Sequence, residues 1–245
     1  NIDKARSKDR IKAFGKLVDT SNGEPRFRSD PPVLIPARDL FGQDELRQLV
    51  ATIDRSIHMY RRTLSRDRRV LLDRYRFVDL ARKVVGVGSV GTRCWVALMI
   101  GDNESDPLFL QVKEAKRSVL EAHLGKTRFP QNGQRVVEGQ RLIQTAPDVF
   151  LGWEQVRGLD GVDRDYYCRQ LWDWKGSADI ASMSPESMAA YASICGRCLA
   201  RAHARTGDSV AISAYIGKGR TMTASLVEFA ARYADQTEAD HRAFR

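Results

Sequence analysis

The run VVGVGSVGTRCWVALMI, residues 84–100, constrains this chain more than any other. Its glycines, Gly86, Gly88 and Gly91, remove Cβ atoms where backbone amides can approach phosphate oxygens. Two unrelated phosphate-binding designs share that spacing. One needs a helix directly after the glycines, whose N-terminus meets a pyrophosphate. The other needs a strand, so that the glycines cap a hairpin lying over the phosphates. Residues 92–100 are rich in β-branched and aromatic types and stop at Gly101, Asp102 and Asn103, which predicts a strand. A nicotinamide dehydrogenase requires a helix there, so a strand removes that reading. A plain hairpin, in which the glycines only turn the chain, stays open beside the phosphate-binding one.

A turn with Pro107 follows, then residues 108–113, LFLQVK. Side chains alternate along a strand, so Leu108, Leu110 and Val112 share one face that can pack inward, while Phe109, Gln111 and Lys113 share the other. Strand, glycine loop, strand, turn, and a strand with a lysine make the nucleotide-covering hairpin of a protein-kinase-like small lobe. The expected fold class is therefore α+β: a kinase-like antiparallel small-lobe sheet with its glycine loop, plus a helical lobe. Gly86, Val87, Gly88, Ser89 and Gly91 would cover the phosphates of ATP, with Mg²⁺, and Lys113 would hold them. A glutamate on the next helix should orient that lysine. Glu138, in a helix expected over residues 134–146, is the first candidate and Glu121, in a short helix over 118–124, the second; an exposed Glu138 near Arg135 and Arg141 is the bland alternative. Two further strands, over 149–153 and 165–171, would lead into a hinge at Gln170, Leu171 and Trp172 whose backbone holds adenine.

Four parts are expected along the 245 residues: a basic linker or tail over 1–32, a helical segment over 33–76, the small lobe over 77–174, and a helical portion over 175–245. A short edge strand fits 33–35, and apolar residues at helical spacing fit helices from 44 to 60 and from 66 to 75. Ser184 and Pro185 open a long helix that ends near Gly207, and another fills 221–245. The net charge of +9 is concentrated in residues 1–76, and Arg55, Arg61, Arg62, Arg66, Arg68, Arg69, Arg74 and Arg76 crowd two of the helices. They fit either phosphate-backbone contact with a nucleic acid or a solvated helix face, and the absence of interleaved aromatics favours the second. Cys195 and Cys198, with no second pair nearby, read as two small buried hydrophobes rather than a zinc site. No apolar run has membrane-spanning length and four cysteines make no disulfide framework, so a cytoplasmic protein is expected.

Several blocks carry a resemblance in the same order: VVGVGSVGTRCWVALMI, DPLFLQVKEA, RVVEGQRLIQ, DVFLGW, YYCRQLWDWKGSADI, CGRCLARAHARTGD and FAARYADQTEADH. Over about residues 30–245 the chain resembles the C-terminal half of an uncharacterised bacterial family known as domain of unknown function 2252. That family is distantly similar to protein kinases and aminoglycoside phosphotransferases. The resemblance implies a permuted order, with the catalytic loop and the metal-binding aspartate N-terminal to the glycine loop and outside this chain. The sequence agrees in one respect: no asparagine follows Asn132, so no kinase-type metal asparagine can follow the hinge, and Asp208 is left as an isolated imitation of a catalytic aspartate. The expected function is the ATP-binding portion of a phosphotransferase, inactive alone and partnered by the missing N-terminal half. The alternatives are a non-catalytic nucleotide sensor or scaffold, and a nucleic-acid-binding module on the arginine helices.

Overall fold

Strands that carry apolar residues on both faces are stable only inside a sheet covered on both sides. Residues 76–114 form three of them. β4 (Arg76–Lys83), β5 (Cys94–Ile100) and β6 (Pro107–Glu114) run antiparallel. The structure, a computed structural model, describes residues 10–21, 23–84, 86, 91–103, 105–171 and 178–245. Ahead of the three strands lie α1 (Arg10–Leu17), β1 (Val18–Asp19), β2 (Arg26–Phe27), β3 (Leu34–Pro36), α2 (Ala37–Leu40), α3 (Gln43–Arg62) and α4 (Arg66–Leu72). After them come α5 (Glu121–Leu124), α6 (Asn132–Ile143), β7 (Gly152–Arg157) and β8 (Asp163–Gln170). The fold is mixed α+β, and its main sheet has six antiparallel strands in the order β3-β4-β5-β6-β8-β7. The strand at β5 removes the dehydrogenase reading.

Alternation divides the sheet into two faces. On one, the loop face, Val96, Leu98, Phe109 and Leu171 pack with Ala13, Leu17, Val18 and Phe27. On the other, the helix face, Ala97, Met99, Leu108, Leu110 and Cys168 pack with Tyr60, Leu64, Leu72 and Phe150. Phe109 and Gln111, expected on a polar side, are therefore buried, with Phe109 in a second core. Residues 10–32 are not a tail: Ala13 and Phe27 are fully buried, and Phe27 is tied down by Asp79. That carboxylate, at a register shift in β4, accepts from the Phe27 amide (2.8 Å) and from Arg38 (3.1 Å), while Arg38 also donates to the Phe27 carbonyl (2.6 Å). The strand expected over 149–153 begins later, at Gly152, because Asp148 folds the preceding residues into a turn by accepting from the Phe150 amide.

The chain divides into two compact units, residues 1–188, which hold the sheet, and residues 189–245. The second unit is helical, with most of α7 (Pro185–Thr206), then α8 (Ser209–Ile216) and α9 (Arg220–Phe244). Nothing in the sequence pattern predicted α8. Its N-cap is Asp208, which accepts from the amides of Val210 and Ala211 (2.9 and 3.0 Å), so the one imitation of a catalytic aspartate is a helix cap. Cys195 is half-buried and Cys198 exposed, not the two buried hydrophobes expected. Among the described residues no helix is long and apolar enough to cross a membrane.

Candidate functional site

β4 and β5 form the hairpin whose tip is the glycine segment. Four of its residues, Val87, Gly88, Ser89 and Val90, lie outside the described residues, as does Trp172. The flanks are defined. Gly86 has φ +136° and Gly91 φ +75°, backbone that L side chains rarely adopt. The Gly91 carbonyl accepts from Lys116 (2.8 Å), and the Val84 amide donates to the Val33 carbonyl (2.9 Å), so both ends of the connection are anchored.

Where β4 ends and β5 begins, cations gather on the loop face around Cys94. Lys113 stands opposite Cys94 on β5 and Tyr167 on β8. Lys113, Lys83 and Arg169 all act electrostatically on the Cys94 thiol, whose pKa is nevertheless raised because burial outweighs them. Lys83, the last residue of β4, is 9% exposed, and burial, then the nearby Lys16, lowers its pKa. Neither Lys83 nor Lys113 takes part in an ion pair among the described residues. Arg169 donates to the side-chain carbonyl of Gln111 (3.1 Å), which fixes one cation beside the other two. Sequence reasoning missed Lys83; the available signal was its register, two residues beyond Ala81 on the inward face of the strand that enters the glycine segment.

The expected lysine–glutamate pair is not formed. Glu138 bonds to Arg141, one turn along α6 (2.8 Å), and Arg141 also donates to the Leu151 carbonyl (2.9 Å) and lies over the Trp153 ring. The pair at i and i+3 needs no tertiary arrangement, and it satisfies Glu138 locally. Glu121 is taken by Arg117 (2.7 Å). At the expected hinge, the Gln170 amide donates to Asp148 (2.9 Å) and the Leu171 amide to the Phe109 carbonyl (2.9 Å), so neither amide is open to adenine. The arginine helices are partly tied up as well: Arg61 grips Asp73 with two bonds (2.6 and 2.5 Å), and Arg69 donates to the Leu64 carbonyl (2.9 Å).

The helix face holds a cavity of about 460 Å³. Its origin is a wedge. The C-terminal end of α3 presses on Gly152, where a Cβ would stand 2.6 Å from the Thr63 hydroxyl and 2.7 Å from the Tyr60 ring. Tyr60 donates to the Phe150 carbonyl and Thr63 accepts from the Trp153 amide (3.1 Å), locking that end. Towards its N-terminus, α3 lines the cavity with Leu49 and Ile53, and the sheet lines it with Trp95, Leu110 and Val112. Glu154 of β7 lines this cavity and is 7% exposed. The Cys168 thiol donates to its Oε1 (3.7 Å), and Oε2 is buried with no hydrogen bond of ordinary geometry among the described residues. Burial pushes its pKa up to about 7, against the smaller opposing effects of the Ser56 hydroxyl and the Cys168 thiol.

A family profile described as an uncharacterized protein conserved in bacteria, DUF2252, matches residues 1–245. The match takes in the first residues too, which lie ahead of the blocks that carry the resemblance. No curated protein matches, and no solved structure does.

Proposed function

We propose that this chain, which belongs to the uncharacterised bacterial DUF2252 family, binds a nucleoside triphosphate on the loop face, as the nucleotide-holding portion of a kinase-like phosphotransferase. The observation that carries the reading is the convergence of Lys113 and Lys83 on Cys94 at the start of β5, neither in an ion pair among the described residues, with positive φ at Gly86 and Gly91 between β4 and β5. Connectivity supports it: the lysine strand is third of an antiparallel set, a helix follows, and β8 returns beside the lysine strand. The phosphates sit against Lys113 and Lys83, and the glycine backbone supplies donors. Glu138 serves this site only if it exchanges Arg141 for Lys113 when the nucleotide binds. Adenine is held by groups other than the Gln170 and Leu171 amides. The groups that would bind Mg²⁺ and take the acceptor's proton come from outside residues 1–245, so this chain alone binds without turnover.

Calorimetric titration with ATP, with and without Mg²⁺, tests the proposal. Lys113→Ala should weaken binding by at least about tenfold, and Lys83→Ala by a similar factor. ATP binding that ignores both substitutions would refute this site. Turnover by the isolated chain would show instead that the catalytic groups lie within it.

A further inference from the structure

We propose that the cavity on the helix face is a second, independent binding site, for an organic cation: a primary amine carried on an apolar body, its ammonium group bonded to Glu154. Three observations converge. The walls supplied by Ile53, Trp95, Leu110 and Val112 are apolar, and the cavity volume of about 460 Å³ lies within the range of small-molecule sites. Glu154 is a buried carboxyl among the residues lining that apolar space, where only the neutral Ser56 hydroxyl and Cys168 thiol act on it and no cation pairs with it among the described residues. Such a carboxyl is costly to ionise unpaired, and an ammonium donor answers both its lone pairs and its charge. The arginines at the mouth do not oppose a cation strongly, because Arg164 and Arg93 are paired with Asp160, and Arg157 with Asp163. The site shares no residue with Lys113, Lys83 or the glycine segment, so it stands or falls apart from nucleotide binding.

The probes are 4-phenylbutylamine, its neutral counterpart 4-phenyl-1-butanol, and the anion 4-phenylbutyrate, each titrated calorimetrically into the full chain. The amine should bind at least about tenfold more tightly than the alcohol, and the anion should not bind. Glu154→Gln should bring the amine down to the affinity of the alcohol. Ile53→Trp, which fills the cavity without touching the carboxyl, should abolish binding of both while the chain stays folded by circular dichroism. Equal affinities for amine and alcohol, amine binding unchanged in Glu154→Gln, or no amine binding at millimolar concentration would each overturn the proposal.

Discussion

On the loop face, α1 and Phe27 cover the apolar part of the sheet, the buried Asp79 is satisfied by the Phe27 amide and Arg38, and Lys83, Lys113 and Arg169 gather around Cys94. On the helix face, α3 is locked down at one end, and Glu154, a buried carboxyl there, lines the cavity left beside it and has no cation paired to it among the described residues. The two faces bury similar strands but differ in where polarity ends up. Long side chains such as Lys83 and Lys113 can keep their ammonium groups at an edge while their stems are buried. A glutamate side chain has no such reach, so its burial shows as a raised pKa.

The largest expected effect tests that contrast through pH. Glu154 has a folded-state pKa of about 7 against an ordinary 4.5. Between those values the folded chain binds more protons than the unfolded one, so stability falls as pH rises from about 4.5 to about 7 and levels off above. The loss is on the order of 3 kcal/mol. Urea denaturation across pH 5–8 should show this slope and Glu154→Gln should flatten it; a slope unchanged by the substitution would mean that Glu154 is solvated. Asp79→Ala should come next, at about 2–3 kcal/mol, because it strips the buried Phe27 amide of its acceptor and removes one of the partners of Arg38. It should loosen the cover of the loop face, seen as faster proteolysis within residues 10–32, while leaving amine binding on the helix face intact. Gly133→Ala should cost about 1–2 kcal/mol: its Cβ would stand 2.1 Å from the Tyr166 carbonyl, so α6 must shift, against a small gain in helix propensity. Arg61→Ala should change the denaturation midpoint least, since both it and Asp73 are well exposed and their pair is screened by solvent.

The sheet's centre was legible because β4, β5 and β6 are long enough for alternation and turn residues to show. The long helices were legible through their three- and four-residue spacing. The N-terminal cover was not, since β1 and β2 are two residues each and their burial depends on Asp79, 52 residues beyond Phe27. Lys113 was found because a lysine closing an apolar strand stands out. Its expected partner, Glu138, is bonded instead to Arg141, which lies three residues along the same helix and needs no tertiary arrangement to reach it. Glu154 was invisible for a different reason: with the strand expected at 149–153, it fell outside the strand, and its register opposite Tyr166, two residues on from the Gly152–Cys168 pair, could not be seen.

The locking of α3 onto Gly152 also sets a schedule. Tyr60 and Thr63 reach partners 90 residues later in the chain, at Phe150 and Trp153. During synthesis at ~5–20 residues per second, α3 therefore waits roughly 5–20 s for the strand it docks on. Met99 and Leu110 meanwhile have no cover on that side, which makes the interval before β7 emerges the period when a nascent chain is most open to misassociation and to capture by chaperones.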